Sequence, residues 1–156
     1  MGKFNYSALG TFTTAIDGST TTPTLKNLAN NGRKIGNAID LTGSSDRDLG
    51  AFFELLVRSA SAPAANAPVE LYLICSPDGT NYERGDDSTD PASTALIHVF
   101  PLAAVSTGYR LSSGPRPIIL PACKFKPFIY NKSGQAFTNT DAENILSIRV
   151  VSLNSA

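Results

Sequence analysis

The sequence predicts an all-β chain: an antiparallel β-sandwich, jelly-roll-like, preceded by an extended N-terminal arm. Three observations point there. Apolar and polar residues alternate over several short stretches, the two-residue period of a strand with one face on a core. Gly, Pro, Asn and Asp cluster between those stretches, where turns need their backbone chemistry. The stretches number about eight within the length of one domain, a pattern of sandwiches and closed barrels.

Residues 1–34 read as the arm and residues 35–156 as the sandwich domain. The segment "TFTTAIDGSTTTPTL" is thick with Thr and Ser and is interrupted by Gly18 and Pro23. Such a composition buries little apolar surface by itself. One short strand is expected at Gly10–Ile16. A single helical turn is expected in "LKNLANNGRK", ended by Asn30, Asn31 and Gly32.

From Ile35 the pattern is β. "IGNAIDL" is a strand, closed by "TGSSDRD". Gly50–Ala60 sets Phe53, Leu55 and Val57 on one face and Phe52, Glu54, Leu56 and Arg58 on the other. "SAPAANAP" is a connector. "VELYLICS" alternates Val69, Leu71, Leu73 and Cys75 against Glu70, Tyr72, Ile74 and Ser76. "SPDGTNY" is a turn: Pro77 presets φ, Asp78 bonds its own backbone and Gly79 permits positive φ. Strands follow at Thr94–Leu102 and Thr107–Ser113, and a short one framed by prolines at Arg116–Pro121, which suits an edge. "KFKPFIYNKSGQAFTN" reads as a strand, a turn at Ser133-Gly134 and a return strand. In Asn144–Leu153, Leu146, Ile148 and Val150 oppose Ile145, Ser147, Arg149 and Val151.

The chain has 156 residues, 42% of them apolar and only 17% charged, with zero formal net charge. Zero net charge gives no general attraction to nucleic acid or to an anionic membrane, and it favours association. No stretch has the apolar length of a membrane span. The start, "MGKFNYSALG", lacks the apolar run of a secretory signal, so the expectation is assembly in a cytoplasm. Cys75 and Cys123 lack zinc-site spacing, and no histidine cluster accompanies them. Free thiols are expected; a disulfide would need adjacent strands and an oxidising setting.

The loop carrying Asp78, Glu83, Asp86, Asp87 and Asp90 fits no EF-hand spacing, and it reads as a solvated loop in preference to a calcium site. Glu54 and Glu70 are the only carboxylates that suggest a glycan-cleaving pair, but each sits on an outward strand face. His98, the sole histidine, shares a face with Leu96 and Phe100 and has no nucleophile motif to serve. Lys124, Lys126, Phe128 and Tyr130 share one face of a strand, with Phe125 and Ile129 opposite, which reads as core plus rim rather than as a nucleic-acid surface. Tyr72, Tyr82 and Tyr109 could serve a sugar-binding platform. No catalytic residue, cofactor or metal ligand is assigned.

The phrases "TLKNLANNG", "VELYLICSPDGTNY", "HVFPL", "LPACKFKPFIYNKSGQAF" and "NILSIRVVSL" run in that order between Thr24 and Leu153. In these the chain resembles a family of small structural proteins of tailed bacteriophages, of the capsid decoration or cement type. It departs from that pattern at Pro127 and in the extension Asp86–Asp90. The resemblance implies a β-sandwich on the outside of an icosahedral head, with the major capsid protein and its own copies, as trimers, for partners. It implies a virion location, no nucleic acid and no membrane. The arm would then make intermolecular contacts, with Thr11, Thr13, Thr20, Thr21, Thr22, Leu25 and Leu28 as the candidate partner contacts. A tail or baseplate structural protein and a carbohydrate-binding module remain as alternatives.

Overall fold

The structure, a computed structural model, describes residues 7–8, 13–16, 23–42, 49–140 and 142–152. Among these are eleven strands: β1 (Ser7–Ala8), β2 (Thr13–Ile16), β3 (Arg33–Ile35), β4 (Ile39–Asp40), β5 (Leu49–Val57), β6 (Ala67–Ser76), β7 (Leu96–Leu102), β8 (Tyr109–Ser112), β9 (Ile118–Ile119), β10 (Lys124–Asn131) and β11 (Ile145–Ser152). A single 3₁₀ turn, Ser93–Ala95, precedes β7.

The strand pairing is that of one long hairpin rolled up. Its tip is β6 against β7. Moving outward along the chain, β5 pairs with β8 and β9, then β3 and β4 pair with β10, then β2 and β1 pair with β11. Successive pairs fall alternately in two sheets. The β5–β11 and β6–β10 ladders join them, giving one sheet ordered β1/β2-β11-β5-β8/β9 and another ordered β3/β4-β10-β6-β7. This is the two-sheet jelly roll, all antiparallel.

The alternation read from sequence places the core correctly. Phe53, Leu55 and Val57 of β5 and Val69 and Leu71 of β6 are fully buried, and Leu73 is nearly so. They meet Phe100 and Leu102 of β7, Phe125 and Ile129 of β10, and Leu146 and Ile148 of β11 between the sheets. Val150 packs against this core from its rim.

Four expectations need correction. The strand expected at "IGNAIDL" is two short ones, β3 and β4, which break over residues 36–38 opposite Pro127 of β10. Proline has no N–H for the ladder, while β10 still pairs with β6 without interruption through Pro127↔Leu73. Gly36 bridges the break: its N–H donates to the Pro127 carbonyl at 2.7 Å, and a Cβ there would lie 2.8 Å from Pro127 Cγ and from the Ala15 carbonyl oxygen. The helical turn expected after Thr24 is instead two tight turns, closed by Leu28 N–H to Leu25 O and by Gly32 N–H to Ala29 O. The return strand after Ser133-Gly134 is absent among the described residues, where Phe137 makes only an isolated bridge with Ser59.

The fourth correction concerns the arm. Ala15, Ile16, Leu25 and Leu28 are buried in the main core, and β3 straddles the expected boundary after residue 34. The described residues before Ile35 are therefore built into the sandwich. Leu25 and Leu28, expected as partner contacts, point into their own core. The cause is a set of hydrogen bonds that the polar sequence did not advertise. Asn31 N–H donates to Asn131 O, Asn131 N–H to Gly32 O, Phe137 N–H to Leu28 O and Asn27 N–H to Thr138 O. With its backbone groups satisfied, this segment can bury its two leucines without leaving polar atoms stranded.

Candidate functional site

The acidic loop after β6 does not project as a free hairpin. It folds back over the outer face of the β3/β4-β10-β6-β7 sheet, where Tyr72, Ile74, Ala95 and Phe128 form a second, smaller buried cluster flanked by Ile35, Tyr82 and Tyr130. Gly85 has φ +146°, and a Cβ there would lie 2.8 Å from Ile74 Cδ1, so glycine permits both the backbone and the close approach. Asp78, Asp86, Asp87 and Asp90 each have a local partner. Asp78 Oδ1 accepts from the N–H groups of Thr80 at 2.9 Å and Asn81 at 2.7 Å. Asp86 Oδ1 accepts from Ser88 N–H, Ser88 O–H and Thr89 N–H, each at 2.7 Å. Asp87 accepts from Ile35 N–H at 2.8 Å and pairs with Lys34, and Asp90 pairs with Arg33 at 2.5 Å.

These bonds favour the charged carboxylates. The Thr80 N–H, then the Asn81 amide, hold the Asp78 carboxyl well below its usual range, and the Ser88 hydroxyl and N–H hold Asp86 at about 2. A calcium ion needs six to eight oxygen ligands, and the oxygens here are engaged in turns and ion pairs. Among the described residues no three His, Cys, Asp or Glu side chains converge on a possible metal position.

The other candidate groups are dispersed. Glu54 lies on β5 and Glu70 on β6, on the outer faces of different sheets, so they cannot flank one glycosidic bond. Glu54 pairs with Arg110, while Glu70 accepts from Tyr72 O–H at 2.5 Å and pairs with Lys132 at 2.8 Å. The three tyrosines form no shared platform. Tyr72 is buried, Tyr82 lies under Lys126 with Nζ 4.2 Å from its ring centroid, and Tyr109 O–H accepts from Ala103 N–H across the sandwich edge. His98 stacks edge-on against Phe100 with centroids 4.7 Å apart, and burial lowers its pKa. Lys124, Lys126, Phe128 and Tyr130 share a face as read from sequence, and it is the outer one, which the acidic loop covers in part over Phe128.

Among the described residues the exposed large hydrophobics are Leu96 and Val99 at 40%, Val105 at 41% and Ile119 at 77%. Leu96 and Val99 lie on β7, Val105 on the β7–β8 connection and Ile119 on β9. β7 and β9 each lie on an edge of their own sheet, with Val99 in register with Glu70 and Ile119 with Gly50. Between those edges runs a cleft of about 300 Å³ lined by Leu73, Cys75, Ile97, Ile119 and Pro121, with Glu83 at its rim. A bulge shapes it. The β6–β7 register slips between Leu71↔His98 and Tyr72↔Leu96, leaving Ile97 as the extra residue. Ile97 packs toward the core, and Leu96 is turned out of the phase it was expected to share with Phe100.

Of the expected partner contacts, Thr13 is exposed at the opposite edge, its hydroxyl donating to Ile148 O at 3.3 Å, whereas Thr11, Thr20, Thr21 and Thr22 lie outside the described residues. Sequence reasoning placed Arg116–Pro121 at an edge from its framing prolines, but it gave Leu96, Val99 and Ile119 no role, because an edge strand and a core strand carry the same apolar run.

No protein-family model and no curated protein matches the chain. Among solved structures it is similar to the K1 cleaved adhesin domain of Lys-gingipain from Porphyromonas gingivalis W83, at 13% identity over 97% of this chain and 74% of that one, with a TM-score of 0.36. A likeness at that level carries no argument about what this chain does.

Proposed function

We propose that the chain is a structural virion protein that binds the outer surface of a phage capsid and stabilises it. Its partners are the major capsid protein and further copies of itself, as a trimer, and it reaches the virion from the host cytoplasm. The resemblance in "VELYLICSPDGTNY" and "KFKPFIYNKSGQ" motivates this reading. Those phrases are β6 with its following turn, and β10 with its following turn. The observation that supports it most is the exposure of Leu96, Val99 and Ile119 on the edge strands β7 and β9, with Val105 on the following connection. A protein that works by covering another surface needs exposed apolar side chains within a polar surround. Repetition over a shell turns modest single contacts into firm attachment.

Co-sedimentation with undecorated heads tests this reading. The wild-type chain is expected to pellet with heads. The double variant Val99→Lys, Ile119→Asp is expected to bind at least tenfold more weakly while keeping the wild-type melting temperature. Binding to tails instead of heads, or equal binding by the variant, would overturn the reading or its assigned surface. Light scattering should give the mass of three chains.

A further inference from the structure

The two cysteines, far apart in sequence, are neighbours in the fold. Cys75 near the end of β6 pairs in register with Phe125 of β10, and Cys123 stands two residues before Phe125. The ladder runs out at Lys124↔Ser76, so Cys123 follows at the end of β6 that carries Cys75. Both thiols are free, and each lies within the other's electrostatic surroundings. Their surroundings differ usefully. Cys75 is half-buried and lines the cleft between the sheet edges, so a small solute can reach it. Cys123 is buried but lies just outside the ladder, in a tight turn whose N–H donates to Pro121 O at 2.9 Å. A turn residue can shift to meet disulfide geometry without breaking ladder bonds.

We propose that Cys75 and Cys123 form a reversible disulfide that staples β6 to the start of β10 once the protein meets an oxidising medium. The oxidant is a small disulfide such as oxidised glutathione. One cysteine thiolate attacks a glutathione sulfur, the glutathione S–S bond breaks, and a glutathione thiolate leaves and takes up a proton. The second cysteine, as thiolate, then displaces the other glutathione. Two cysteine thiols lose two electrons and two protons, and oxidised glutathione gains them to become two molecules of the thiol. Burial, then the contact with Cys123, pushes the Cys75 thiol up to about 12. Because only the thiolate attacks, the folded protein stays reduced under mildly reducing conditions and oxidises faster as pH rises. The staple closes a long loop, which constrains the unfolded chain most. The inference holds whatever surface the protein covers.

The test uses the full-length folded chain, purified reduced, then incubated with oxidised glutathione at pH 7 and pH 9. The expected result is loss of both titratable thiols, a monomer with a Cys75–Cys123 peptide on non-reducing digestion, and faster reaction at pH 9. The melting temperature should rise by roughly 10 °C, and dithiothreitol should reverse it. Addition of glutathione to each cysteine without bridging would overturn the proposal. So would disulfide-linked dimers, or thiols that stay free at pH 9 yet react in urea.

Discussion

The side-chain amide of Asn131, fully buried at the end of β10, donates to the carbonyl oxygen of Leu28 at 3.1 Å. The same nitrogen lies 3.1 Å from Ala29 O and 2.8 Å from Gln135 O, while its Oδ1 accepts from Ser133 N–H and O–H. One side chain thus ties the segment before β3 to the turn after β10. Asn131→Ala would take one of two donors from each of three carbonyls, which keep Phe137 N–H, Gly32 N–H and Ser133 O–H, and would leave the buried Ser133 N–H unpaired, at roughly 1–3 kcal/mol for that group. Urea unfolding should show a loss of roughly 1–3 kcal/mol, and Asn131→Asp should also destabilise because a carboxylate cannot donate to the three carbonyls. A near-neutral Asn131→Ala would mean that this segment is not docked as described.

A chain beginning at Ile35 would lack β2, Leu25, Leu28 and most of β3. It should fail to give a cooperative thermal melt by circular dichroism. A cooperative melt near the wild-type temperature would restore the reading of residues 1–34 as a separable arm.

The phase of β6 sets the relative cost of two neighbouring substitutions. Leu73→Ala empties a nearly buried site between the sheets, at roughly 2–5 kcal/mol. Glu70→Ala on the outer face loses surface pairs to Lys132 and Tyr72 and should cost clearly less. Equal costs by denaturant unfolding would contradict the assigned faces.

Gly85 is the sensitive point of the acidic loop. Gly85→Ala places a Cβ against Ile74 at a positive φ and should destabilise by roughly 1–3 kcal/mol. Calcium, by contrast, should leave the melting temperature unchanged relative to chelator, since Asp78, Asp86, Asp87 and Asp90 already have partners. A calcium-dependent rise of many degrees would contradict the engagement of those oxygens.

Acid should act on the same loop in a defined window. The Asp86 carboxyl titrates at about 2 when folded, against 3.8 for the free group. Its folded value is depressed, so its contribution is present above about pH 4 and is lost as pH falls toward 2. Full exposure keeps that contribution small. Carbon-detected NMR titration should give a midpoint near 2 for Asp86, and a midpoint near 3.8 would show that the Ser88 and Thr89 bonds do not persist.

How much of this was legible in the sequence depends on which force shapes each part. Burial faces were legible: Phe53, Leu55 and Val57 recur every second residue, as do Val69, Leu71 and Leu73, with Glu54, Arg58 and Glu70 marking the other face. The docking of the segment holding Leu25 and Leu28 was not, because it rests on long-range bonds from Asn131, and one asparagine among many gives no pattern. The split between β3 and β4 depends on Pro127, remote in sequence and aligned only by folding. Ile119 carries the same apolar signature as a core residue; only the strand order leaves it exposed.

The proposed role is tested most directly by electron cryo-microscopy of tailed-phage particles assembled with this chain. The expected map shows jelly-roll density of this topology on the outer head surface, three copies to a cluster, with Val99 and Ile119 on the side pressed against the shell. Density confined to the tail, or a head-bound sandwich with the β7–β9 side facing solvent, would contradict it.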